Sequence, residues 1–145
     1  MKKIQEIINS SYKIKDFVLL GLRWVLAYGF FNPAIMKLKD VGSIAEWFES
    51  INIPFPVFNA YLATGTELFG VILLTLGLLN RWISIPLIIT MIIAIVTVHF
   101  GNGFDAGDNG FEIPLYYILM LLTLLSFGAG KYSLDQFLKL NRIKN

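Results

Sequence analysis

Cysteine is absent from the 145-residue chain and histidine occurs once, at His99. Without thiols there is no disulfide scaffold, no thiolate zinc or iron–sulfur site and no thiol redox chemistry. One histidine excludes bis-histidine haem and multi-histidine metal centres, so no metal is expected. Charge is also scarce. Charged residues make up 15% of the chain, against about 25% in a soluble domain, and they leave a net charge of +2, too small to suggest nucleic acid. What is abundant is apolar surface: 56% of residues are hydrophobic and the mean hydropathy is +0.66. A soluble fold of this length buries only roughly 70% of the surface its unfolded chain exposes. So much apolar surface therefore argues for a membrane protein and against disorder.

A spanning helix needs roughly 20 mostly apolar residues. Four stretches qualify, at about 17–36, 57–79, 82–100 and 112–128, within a single domain covering 1–145. Backbone groups in lipid must pair internally, and the ten-residue alternation of a barrel is missing. The expected fold is an all-α integral membrane four-helix bundle. Residues 1–16 lack a small-x-small cleavage site and read as a retained, amphipathic surface helix carrying Ile4, Ile7, Ile8 and Tyr12. Nine Lys and Arg residues fall on the side holding the termini and Arg81, against Lys37 and Lys39 on the other. This asymmetry predicts cytoplasmic termini in a bacterial inner membrane. In the first outer loop, Ser43-Ile-Ala-Glu46 has the form of a capping box and is followed by Trp47, Phe48 and Ile51. It predicts a short interfacial helix ending before Pro54. The second outer loop, GNGFDAGDNG, reads as turns.

Each ionisable residue near the hydrocarbon costs about 2.5–3.5 kcal/mol at the membrane centre and asks for a reason. Glu67 lies roughly 12 residues, or about 18 Å, from the cytoplasmic end of its span. It shares a stripe with Ala63, Gly70, Leu74 and Gly77, and small residues such as Gly70 and Gly77 permit close helix packing. Arg23, Ala27, Phe30, Ala34 and Lys37 share one face of the first span. Arg23 has two readings: it snorkels to the interface, or it pairs with Glu67. In the fourth span Glu112, Tyr116, Thr123 and Ser126 form a polar stripe that calls for a bundle interior. His99 and Glu112 belong near one outer level. Their simplest roles are a hydrogen bond from the histidine to the loop and a carboxylate at a helix N-terminus. If the faces converge, Arg23, Glu67, His99 and Glu112 form a staggered column.

In order and spacing these residues resemble the DoxX family of small four-helix bacterial membrane proteins. The resemblance runs from about Leu20 to Phe137. It rests on Arg23, Gly29, Phe30 and Lys37; on Glu67-x-x-Gly70 with Gly77; on His99-Phe-Gly followed by Gly110-Phe-Glu112; and on Phe127-Gly-Ala-Gly-Lys-Tyr-Ser-Leu-Asp135. Pro33 stands near a position where the family more often has Gly, and Val71 replaces the second Gly of a Gly-Gly pair. The resemblance implies a multi-pass inner-membrane protein. Some relatives are subunits of quinone-linked oxidoreductases, and others sit beside genes for metal-binding peptides and their maturation enzymes.

The expected function is a redox-linked membrane subunit binding a quinone or similar small apolar molecule beside Glu67, with Arg23 and His99 tuning charge. No covalent cofactor is expected. Any turnover would be that of an oxidoreductase subunit dependent on a partner. The alternative is a non-catalytic scaffold for a membrane or peripheral partner protein, with the ionisable residues as structural glue. A transporter ranks last, since paired broken helices are missing.

Overall fold

The structure, a computed structural model, describes residues 2–143 and the side chains of residues 14–139. The faces formed by Ile4, Ile7, Ile8 and Tyr12, and the tail cations Arg142 and Lys144, lie outside the described side chains. All regular structure among the described residues is helical: α1 (Lys2–Lys39), α2 (Val41–Ser50), α3 (Pro56–Leu76), α4 (Asn80–Ala94), α5 (Glu112–Phe127) and α6 (Leu134–Ile143). Three segments are long and apolar enough to cross a bilayer, Ile14–Lys39, Pro56–Leu76 and Asn80–Asn102, and the apolar α5 is shorter.

These four helices form a ring. α1 packs on α3, α3 on α4, α4 on α5, and α5 returns to α1. The contact layer holds Leu19, Leu26, Phe30, Leu74, Leu87, Leu121 and Leu124, while Phe17, Tyr28, Trp82 and Val96 face outward. An apolar exterior around a small apolar core is what a bilayer solvent permits, because lipid removes the penalty for exposing such side chains. The proximal end of the bundle gathers the region of Asp16, the α3–α4 turn and the α5–α6 loop. The distal end gathers Lys37, α2 and the 100–111 loop.

α2 lies against α3 through Ala45 and Phe48, which meet Ala60, while Trp47 stays exposed. Its start differs from the capping-box expectation. Asp40 is the N-cap, with its Oδ1 accepting from the Ser43 amide and its Oδ2 from the Ser43 hydroxyl. An Asp one turn before Ser43 takes the orphan amide first, so Ser43 sits inside the helix.

Breaks in the spans have local causes. Proline at 33 and at 86 lies inside α1 and α4, and each removes one helical hydrogen bond. Beyond Ala94 the α4 backbone widens into a π-helical turn, Ile95–His99, before a 3-10 turn. α3 ends at Leu76 because Gly77 turns left-handed at φ +71°. The span expected at 57–79 therefore closes in a turn over its last three residues.

Candidate functional site

Two buried polar clusters lie along the α1–α3 seam. The first is Lys37 with Glu67. Glu67 is 2% exposed, on the buried stripe of α3 with Thr64, Gly70 and Leu74. The Lys37 ammonium comes down from near the end of α1 and donates to Glu67 Oε1 at 2.5 Å. A lone buried carboxylate costs several kcal/mol of desolvation, and the ammonium offsets part of that. The second carboxylate oxygen, Oε2, is buried and accepts no hydrogen bond among the described residues. Lys37 was expected at the end of its span, and its role as the partner of Glu67 was not read from the sequence.

Arg23 is the second cluster. It neither snorkels to water nor reaches Glu67. It is 1% exposed and spends its donors on backbone carbonyls. Nε donates to Leu74 O at 2.9 Å, Nη2 to Thr75 O at 3.0 Å, and Nη1 to Ala129 O at 3.1 Å and Tyr132 O at 2.6 Å. Leu74 and Thr75 belong to the last turn of α3, whose carbonyls have no helical partner and carry the negative end of the helix dipole. Arg23 thus caps α3 and ties it to the α5–α6 loop.

Gly77 makes the clamp possible. A Cβ there would lie 2.5 Å from Arg23 Nη2 and 2.7 Å from Ser133 Cβ. Gly70 has a different duty, closing the α3–α4 seam, where a Cβ would come within 2.9 Å of Leu87. The two glycines expected to serve one packing stripe thus divide between a helix seam and a helix end.

The remaining candidates sit at the distal end and join neither cluster. His99 Nδ1–H donates to Asn109 O at 2.8 Å. Glu112 Oε2 accepts from the Ala106 amide at 3.0 Å, and its Oε1 accepts from the Tyr116 hydroxyl at 2.8 Å. No hydrogen bond or ion pair among the described residues links these groups to Glu67 or Arg23, so the four residues do not form one column. The polar stripe of α5 also faces outward. Tyr116 is exposed, and the Thr123 and Ser126 hydroxyls donate to the carbonyls four residues back, Leu119 O and Leu122 O. A hydroxyl satisfied by its own helix needs no interior. The inward face of α5 is instead Pro114, Leu121 and Leu124, with Tyr117 half-buried. Its ring stands edge-on to Phe30, and its hydroxyl occupies the place a Cβ on Gly29 would take.

Two further features escaped sequence reasoning. Asn80, at the start of α4, is fully buried, and its side-chain oxygen and nitrogen have no partner among the described residues. Between α1 and α3 an apolar groove of about 350 Å³ opens outward, lined by Trp24, Ala27, Tyr28, Phe31, Val71 and Thr75. Val71 lies about one helical turn beyond Glu67. Among the described residues no group of three or more His, Cys, Asp and Glu side chains could hold a metal ion.

Comparison with known proteins agrees with this architecture. The DoxX family model matches residues 18–100, more than half of the chain, and takes in Arg23, Lys37, Glu67 and His99. An uncharacterized Haemophilus influenzae protein is 36% identical over 125 residues, covering 83% of this chain and 83% of its own. An uncharacterized membrane protein of Mycobacterium tuberculosis is 37% identical, over 81% of this chain and 79% of that one. A Bacillus subtilis protein named "Putative oxidoreductase CatD" is 29% identical, over 90% and 91%. No solved structure matches the chain. With a family match over most of the α1–α4 region and relatives above 30% identity along four-fifths of its length, this helical membrane protein belongs to the DoxX family.

Proposed function

We propose that the protein is a redox-linked subunit of the bacterial inner membrane, with its proximal end cytoplasmic, and that it binds a quinone or similar small apolar molecule between α1 and α3. The observation that carries this reading is Glu67 Oε2. It is a buried carboxylate oxygen without a donor, beside an ammonium, on a helix whose next turn borders an apolar, aromatic-lined groove. A polar head with a hydroxyl or carbonyl oxygen would find both an acceptor and a donor there, while Trp24, Tyr28 and Phe31 suit an apolar ring or tail. The name of the CatD relative supports oxidoreductase association. A bound quinone supplies the electron-accepting ring. The part of this chain is to hold its oxygen and move a proton at Glu67 Oε2 or Lys37 Nζ. The chain has no thiol, and electrons come from a partner protein. Arg23 and Glu112 make their hydrogen bonds elsewhere, and His99 Nδ1 is held by Asn109 O at the distal end, so this reading rests on Glu67 and Lys37.

The test is binding of a short-chain quinone to purified protein in nanodiscs, read by quenching of tryptophan fluorescence. Losing a charge-assisted hydrogen bond of about 1.5–3 kcal/mol raises Kd at least about tenfold in Glu67→Gln. Binding unchanged in that variant removes the site. Two observations favour a second reading, a non-catalytic scaffold: Glu67 is enclosed and Arg23 serves only backbone carbonyls. On that reading Glu67→Gln lowers folded yield and leaves the function of folded protein intact.

A further inference from the structure

The proximal end carries a cleft that the redox reading does not use. Its volume is about 600 Å³, within the roughly 300–1,000 Å³ typical of small-molecule sites. Four cations line it: Lys15 from α1, Arg81 from the first turn of α4, Lys131 from the α5–α6 loop and Lys139 from α6. None of the four forms an ion pair among the described residues, where the one salt bridge is Lys37–Glu67. Both carboxylates in the cleft are already engaged. Asp16 Oδ1 accepts from the Lys131 amide at 3.0 Å, and Asp135 Oδ1 accepts from the Leu79 amide at 3.0 Å. They hold the loops in place, and the four cations outnumber them two to one, with Arg81 Nη2 also donating to Ser126 O at 3.0 Å.

The level of this cleft fixes the kind of anion. Its aromatic members are Trp82, 73% exposed, and Phe127, 58% exposed, and the Lys15 ammonium lies 4.7 Å from the centre of the Phe127 ring. Trp82 stands in the first turn of α4, Phe127 is the last residue of α5, and Lys15 is at the start of the first candidate span. All three therefore sit where membrane-crossing segments leave the hydrocarbon, the level at which aromatic belts and phospholipid headgroups meet. Exposed rings beside an excess of cations offer one surface to acyl chains and the other to phosphate. Basic clefts between membrane helices recognise anionic headgroups in this way.

We propose that this cleft is a binding site for the phosphate-bearing headgroup of an anionic phospholipid, held by Lys15, Arg81, Lys131 and Lys139 with the lipid chains against Trp82 and Phe127. The test is native mass spectrometry of the full chain released from nanodiscs containing phosphatidylglycerol and phosphatidylcholine, counting retained lipids of each kind. The expected result is one phosphatidylglycerol retained in about tenfold preference to phosphatidylcholine, falling steeply as salt is added. The preference disappears in Lys15→Gln/Lys131→Gln and survives in Lys39→Gln, which removes a cation from the distal end. If the double variant folds poorly, Arg81→Gln and Lys139→Gln taken singly should each weaken the preference and so locate it, while the salt series on unmodified protein shows that it is electrostatic. Retention without headgroup preference overturns the proposal, as does a preference that the Lys39 and the Lys15/Lys131 substitutions reduce equally. Displacement of phosphatidylglycerol by millimolar inorganic phosphate overturns the lipid assignment and makes the cleft a site for soluble phosphate.

Discussion

Gly77→Ala is a small substitution with a large calculated effect. Its backbone is left-handed, at φ +71°, where an alanine costs about 1–2 kcal/mol. The new methyl carbon would lie 2.5 Å from Arg23 Nη2, 2.6 Å from Cζ and 2.7 Å from Ser133 Cβ, well inside ordinary contact. Overpacking of this kind costs about 1–3 kcal/mol, so the whole effect is about 2–5 kcal/mol. A double-mutant cycle with Arg23→Met separates the two parts. That change alone should cost a few kcal/mol, since it leaves the carbonyls of Leu74, Thr75, Ala129 and Tyr132 without their donor. In its presence Gly77→Ala should lose the clash with the guanidinium and keep the backbone strain, about 1–2 kcal/mol, together with the Ser133 contact. The expected coupling is the guanidinium's share of the overpacking, about 1–2 kcal/mol. The assay is equilibrium unfolding in mixed micelles of increasing dodecyl sulfate, followed by the fluorescence of the three tryptophans. Costs that add to within about 0.5 kcal/mol would refute the idea that Arg23 is packed on this glycine.

The Lys37–Glu67 pair predicts an asymmetry in the same assay. Lys37 is 18% exposed and can turn toward the distal surface, while Glu67 is 2% exposed and cannot. Lys37→Met should therefore destabilise more than Glu67→Gln, and Lys37→Met/Glu67→Leu less than Lys37→Met alone, because an apolar pair leaves no buried charge behind. The reverse order of the single variants would show that Glu67 has another partner. At Asp40, outside the spans, the hydroxyl and then the amide of Ser43 hold the carboxylate below its ordinary pKa of 3.8. Such a group stabilises the folded state above the unfolded pKa, and the contribution is lost as pH falls through the lower folded value. α2 amides should therefore lose protection, relative to intrinsic exchange at each pH, on acidification below about pH 4, and Asp40→Asn should flatten that dependence. An unchanged profile in the variant would reject Asp40 as the acid-sensitive cap.

The sequence carried the spanning helices because lipid demands long apolar runs, and it carried α2 through its amphipathic pattern. The site was less legible, for three physical reasons. Arg23 binds carbonyls, which every residue has, so its partners leave no signature in the residue types. Lys37 sits near the end of its helix, and only its long side chain brings it to mid-seam beside Glu67. α5 is apolar on nearly every face, so its few polar residues suggested an orientation that the self-bonded hydroxyls of Thr123 and Ser126 do not need. Tyr117, one position from the expected Tyr116, takes the inward place because Gly29 leaves room for it.

The Arg23 clamp also sets an order of events. Two of its acceptors, Ala129 and Tyr132, follow it by 106 and 109 residues. A chain emerging into the membrane thus meets the α3 carbonyls of Leu74 and Thr75 first, and carries a guanidinium short of its other two acceptors through the synthesis of α4 and α5. Only when the loop after α5 arrives does that charge find its full set of oxygens. The full clamp therefore closes only after α5 has been made. A chain stopped before residue 129 lacks the acceptors at Ala129 and Tyr132.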